Sequence, residues 1–144
     1  MHLFRTKARC VNCHNGPLFT DNQFHNLGLT YYGREYEDLG RYEVTKLPED
    51  VGKFKTPSLR DVMRTRPWFH NGLFDDMDGV LNMYNNGMPQ PKPKPEQEND
   101  PLFPKTSPHI KKLGLTKEER DAVVAFLDAI SSSPFRILPP DLPK

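Results

Sequence analysis

The stretch CVNCH at residues 10–14 brings both cysteines of the chain and a histidine together within five positions. Several chemistries use such a cluster. A disulfide closing so short a loop would be strained. A thioredoxin-like redox pair needs a βαβ context, which the flanking sequence lacks. A zinc site needs a second Cys/His pair at regular spacing, and His25 and His70 are too scattered to supply one. A histidine directly after the second cysteine fits the remaining chemistry, attachment of a c-type haem. Cys10 and Cys13 lie one helical turn apart, so both can form thioethers to the porphyrin vinyl groups. His14 then lies under the iron as its proximal ligand.

Working outward, LFRTKARCVNCH at 3–14 reads as a short helix ending in this motif, stopped by Asn15 and Gly16, with Pro17 forbidding its return. Residues 17–60 show little helical period. Gly28, Gly33, Gly40, Gly52, Pro48 and Pro57 punctuate them as loop and short extended pieces. DDMDGVLNMYNNG at 75–87 reads as a helix, with Asp75, Asp76 and Asp78 as candidate caps and Gly87 as its stop. A Pro-rich insert follows over 88–109, read as a solvated connector, with wrapping of the surface or contact with a partner as the alternatives. TKEE at 116–119 is a capping box, and Val123, Val124, Phe126, Leu127 and Ile130 give the helix after it an apolar face. Residues 132–144 form a Pro-rich tail expected on the surface. Residues 1–131 are therefore expected to be one domain. Its class is mainly α and cytochrome c-like, with a few helices around one covalently bound haem, long loops, little β and terminal helices packed together.

The bulk composition fits this picture. A chain of 144 residues suits one domain, and its 35% hydrophobic content is low for a core of that size unless an apolar cofactor fills the centre. The net charge is +1, from 20 basic and 19 acidic residues without a like-charge block, which points away from nucleic acid and anionic membranes. No apolar run approaches the ~18 residues of a membrane span. No signal peptide is visible, although haem c is normally attached outside the cytoplasm. The expected location is therefore periplasmic or otherwise extracytoplasmic, with an incomplete or processed N-terminus.

A haem iron with a proximal histidine has one further axial position, and Met63, Met77, Met83, Met88, His25, His70 and Tyr84 carry suitable donors. On the 75–87 helix, Met77, Val80, Leu81 and Tyr84 fall at i, i+3, i+4 and i+7, one buried stripe with Tyr84 near its middle, while Met83 points about a quarter turn away. Met88 lies beyond Gly87 on a flexible exit. The stripe alone leaves Tyr84 as either a ligand or an ordinary core residue, and Met88 remains in play.

Several stretches occur together: LFRTKARCVNCHNGPLFTDNQFHNLGL, GRYEV, FKTPSLRDV, TRPWFHNG and LTKEERDAVVAFLDAI. In this order they resemble the C-terminal haem domain of the bacterial dihaem cytochrome c peroxidases and their MauG-type relatives. The resemblance covers nearly the whole chain outside the Pro-rich insert. It implies a distal ligand fourteen positions after the HNG histidine, which from His70 is Tyr84. Peroxidases of the family carry methionine there, and MauG-type members tyrosine. A thioether favours ferrous iron. A phenolate is hard and anionic and favours ferric and higher states, so a low-potential haem is expected. The resemblance also implies calcium, held in part by backbone carbonyls at Thr65 and Pro67. The alternative is a plain turn supporting Trp68 and Phe69. Trp68 itself reads either as an aid to electron transfer or as packing beside Phe69.

The family carries two haems, and this chain has a single CxxCH. It is therefore either a fragment, or a companion of another haem chain, or a free-standing one-haem protein. The first expectation is an oxidoreductase module that relays electrons in hydrogen peroxide-dependent oxidation, with a second haem domain or chain and a redox partner protein, and with an oligomer open. The second is a monohaem electron-transfer cytochrome c without catalysis of its own, through Met88 ligation. A gas-binding sensor is the third.

Overall fold

The computed structural model describes residues 1–132. The C-terminal tail expected over 132–144 lies, from residue 133 on, outside the described residues. Four helices and one two-stranded ribbon order the chain as α1 (His2–Arg5), β1 (Phe24–Asn26), α2 (Tyr42–Thr45), β2 (Lys53–Lys55), α3 (Met77–Asn85) and α4 (Lys117–Ala129). Long loops and isolated 3₁₀ turns connect them.

The single helix read over 3–14 is corrected. It ends after Arg5, because Thr6 turns to φ −111° and ψ −99° while its hydroxyl donates to the His2 carbonyl at 2.9 Å. The Thr6 N–H also reaches the His2 carbonyl, at 3.1 Å, so the hydroxyl adds to the last ladder bond as the chain turns away. Arg9 then takes a left-handed conformation (φ 55°), and Cys10–Asn12 form one 3₁₀ turn. The His14 N–H closes the motif by donating to the Cys10 carbonyl at 2.8 Å. The segment read as loop and extended pieces holds the β1–β2 ribbon, paired antiparallel with His25 opposite Phe54, and also the unforeseen helical turn α2.

The two longer helices follow their local signals. In α3, Asp76 is the cap, accepting from the N–H groups of Asp78 and Gly79. Met77, Val80 and Leu81 are buried on its inner face. In α4, the Thr116 hydroxyl accepts from the Glu119 N–H and the Glu119 carboxylate accepts from the Thr116 N–H, while Val123 and Leu127 are buried. The Phe4 ring of α1 packs on Phe126 of α4 at 5.0 Å between centroids. Arg120 of α4 pairs with Asp78 of α3 at 3.1 Å. At the end of α3, the Asn85 amide donates to the Leu115 carbonyl at 3.0 Å and accepts from the Leu115 N–H at 2.7 Å. These ties join α1, α3 and α4 around one apolar core.

The Pro-rich insert is irregular, with a 3₁₀ turn at Pro95–Gln97 and further turns closed by the Phe103 N–H on the Asp100 carbonyl and the Ile110 N–H on the Ser107 carbonyl. The Pro89 carbonyl lies directly over Gly28, whose φ of +79° and missing side chain permit that approach. No helix among the described residues is long and apolar enough to cross a membrane.

Candidate haem site

One cavity of about 450 Å³ opens between the helices and the ribbon. Its apolar walls come from Phe4 in α1, from Met77, Val80 and Leu81 in α3, and from Val123 and Leu127 in α4. Cys10, Cys13 and His14 line it from the motif, and Tyr84 lines it from α3. Amphipathic helices alone would close such a space with side chains. Here nine buried core residues border a ligand-sized space instead.

The motif residues are set for attachment chemistry. Both cysteines are free and half-buried. Burial pushes the Cys10 thiol up to about 12 and the Cys13 thiol up to about 11, so both are protonated thiols at neutral pH. His14 places Nδ1 3.0 Å from the Phe19 carbonyl. A carbonyl only accepts, so Nδ1 carries the proton and Nε2 keeps its lone pair. Burial lowers the His14 pKa, against the opposing pull of that carbonyl, and so favours the neutral imidazole that a metal takes.

The distal candidates separate by position. Met77, Tyr84, His25 and His70 line the cavity, whereas Met63, Met83 and Met88 do not. Met88 is buried elsewhere, with its N–H on the Met83 carbonyl. His25 is engaged by Asp21 at 2.8 Å, and His70 stacks flat on Phe54 at 3.6 Å between centroids. Burial raises the Tyr84 phenol well above its ordinary value, with Cys10 and Cys13 adding to the shift. Among the described residues no hydrogen bond reaches its hydroxyl, which opens onto the cavity rather than being sealed in the core.

Among the described residues, Cys13, Asp21 and His25 form a cluster of metal-type donors, each donor atom within 4.8 Å of the others. It supplies three donors, one short of a structural zinc site, and Cys13 belongs to the attachment motif. Thr65 and Pro67 lie exposed on the cavity wall. Trp68 is half-buried, bonded through Nε1 to the Val62 carbonyl at 2.9 Å, and packs against the core beside Phe69. The sequence did not foreshadow the segment 109–115, where His109, Ile110, Lys111, Leu113 and Leu115 complete the wall. No periodicity marks it, and it follows directly on the Pro-rich insert.

The donor set fits haem c. Two thiols, an imidazole and a phenol line the same cavity. The walls are apolar, and Arg9, Lys55 and Lys111 line the space while no aspartate or glutamate does, which suits a flat apolar ring bearing two carboxylates.

Comparison with known proteins supplies the family. The cytochrome-c peroxidase IdrP2 of Denitromonas iodatirespirans is 34% identical over 98% of this chain and 41% of its own length. The methylamine utilization protein MauG of Methylorubrum extorquens is 34% identical over 98% of this chain and 36% of its own. The chain belongs to the cytochrome c peroxidase and MauG family. It spans about two fifths of the length of these relatives. A solved member, a MauG-like protein associated with microbial copper homeostasis, superposes with a TM-score of 0.73 at 26% identity, over 91% of this chain and 45% of that one. No family model matches the chain. Membership of the cytochrome c peroxidase and MauG family makes haem c the implied cofactor.

Proposed function

We propose that this chain is the haem-carrying module of a peroxidase/MauG-type enzyme and passes electrons in hydrogen peroxide-dependent oxidation. Cys10 and Cys13 would hold one haem c by thioethers, His14 would be its proximal ligand and Tyr84 its distal ligand. The observation that carries this reading is the placement of Tyr84 on the same cavity as Cys10, Cys13 and His14. When bound, the haem supplies one-electron chemistry, and a phenolate ligand biases it toward oxidised states.

The chain's own residues do the rest. His14 presents Nε2 with its tautomer fixed by the Phe19 carbonyl. Tyr84 must give up its proton to bind as phenolate, a cost that its burial imposes and that a cation must offset. The apolar walls from α1, α3 and α4 exclude water from the ring. With both axial positions filled, peroxide could not reach this iron without displacing a ligand. The proposal therefore includes a second haem domain or chain where peroxide reacts, a redox partner protein, and a periplasmic location. It also places calcium on the carbonyls of Thr65 and Pro67.

The test is the oxidised holoprotein and its Tyr84→Phe variant, compared by electron paramagnetic resonance and absorption. A changed ferric signal in the variant is expected. An unchanged signal, or pigment that leaves the denatured chain in acidified organic solvent, would overturn the assignment.

A further inference from the structure

Three successive carbonyls of the loop after the motif are each taken by a different side chain. The Pro17 carbonyl accepts from Arg60 Nε at 3.1 Å and Nη2 at 3.0 Å. The Leu18 carbonyl accepts from the Ser58 hydroxyl at 2.7 Å. The Phe19 carbonyl receives His14 Nδ1 at 3.0 Å. One residue further on, the Thr20 hydroxyl donates to the Thr56 carbonyl at 2.7 Å.

Phe19 itself is held in the left-handed region at φ 53°, where a bulky residue is strained and persists only if its surroundings over-determine it. They do so here from two sides. The Phe19 ring meets Phe4 and Phe126 edge-on, each at 5.9 Å, and the Arg60 guanidinium lies over the same ring at 5.0 Å. Arg60 thus grips both the carbonyl two residues before and the ring that follows. Most of this hardware belongs to the stretch TPSLR at 56–60, whose Pro57 carbonyl also faces the histidine ring while Ser58 and Arg60 act on the loop that carries Phe19.

We propose that Arg60 and Ser58 are positioning residues for the proximal ligand. They hold the strained Phe19 carbonyl against His14 Nδ1 and thereby set the donor strength of the histidine and the potential of the haem. A short, aligned bond from Nδ1–H to a carbonyl makes the imidazole more electron-rich and favours ferric iron, and losing that alignment raises the potential. The inference rests on the reading of His14 as proximal ligand.

The experiment is potentiometric titration of the holoprotein, wild type against Arg60→Ala, Arg60→Lys and Ser58→Ala. Resonance Raman of the iron–histidine stretch in the ferrous state and a thermal melt accompany each. The Arg60→Ala variant is expected to raise the ferrous-to-ferric ratio at fixed potential about threefold, about 28 mV at 59 mV per decade for one electron. Its iron–histidine stretch should move to lower frequency, and lysine should restore part of both shifts. A variant that melts earlier while its potential and stretch stay in place overturns the proposal, because a merely structural role predicts that pattern. Should Arg60→Ala fail to accumulate folded, Ser58→Ala decides by the same two readouts. If His14→Ala leaves the ferric electron paramagnetic resonance signal of the holoprotein unchanged, the His14 reading falls and this proposal with it. A stretch that is present but unmoved by either variant sinks the clamp alone.

Discussion

Replacing Asn85 by alanine removes a side chain that ties the end of α3 to the residue entering α4. Two hydrogen bonds are lost, Nδ2 to the Leu115 carbonyl at 3.0 Å and Oδ1 from the Leu115 N–H at 2.7 Å. Leu115 is only 5% exposed, so water cannot readily replace both. Two ordinary bonds are worth about 2 kcal/mol, and a stranded buried N–H adds about 1, giving about 3 kcal/mol in all. For a domain of this size that corresponds to a fall of roughly 10 °C in Tm. The assay is thermal unfolding of the holoprotein followed by far-ultraviolet circular dichroism and by the Soret band together. Because Asn85 directly follows Tyr84, the Soret change should coincide with the loss of helix. Asn85→Asp keeps the acceptor for the Leu115 N–H and is an informative partner variant. An alanine variant melting within about 2 °C of wild type would refute the claim that this reciprocal pair fastens the two helices.

Other outcomes follow from the same structure. Burial alone would raise the Asp50 carboxyl, but hydrogen bonds from Lys53 and Thr45 and the charge of Arg41 hold it below the usual carboxylate range. Its folded pKa is thus depressed, so its contribution is present above the ordinary value of about 3.9 and fades as pH falls through the folded one. Denaturant melts should show wild type ahead of Asp50→Asn at pH 7 and the gap narrowing near pH 3. A constant gap would contradict this. Met88→Leu should leave the oxidised absorption spectrum unchanged, since Met88 does not line the cavity. A near-red band in wild type that vanished in this variant would give the iron to sulfur. Chelation of calcium should shift the thermal melt of the holoprotein if the carbonyls of Thr65 and Pro67 hold it, and an unchanged melt after complete chelation would remove calcium from the reading.

What could be read in the sequence was local. The capping box at Thr116 and Glu119 declares α4 because both partners lie within one turn, and the stripe Met77, Val80, Leu81, Tyr84 declares the inner face of α3 because a helix repeats every 3.6 residues. The motif at 10–14 names its own cofactor. The break at Thr6 leaves no trace in the sequence because it lies in that residue's backbone angles, with its N–H and hydroxyl both on the His2 carbonyl. The Arg60 grip on Pro17 spans 43 positions, and the wall at 109–115 reaches the cavity through a register set by Asn85, so neither leaves a periodic trace. The flat stack of His70 on Phe54 is of the same kind, joining a loop to a strand that only the ribbon brings near.

The cavity also bears on how such a chain comes into being. It opens to solvent, so when empty it would fill with water, and the apolar faces that α1, α3 and α4 turn toward it would forgo much of their packing. A ligand that binds the folded chain and not the unfolded one adds its binding energy to stability. If a haem is that ligand, the chain would settle into its final shape together with its pigment, and unloaded molecules would be the more open to proteases.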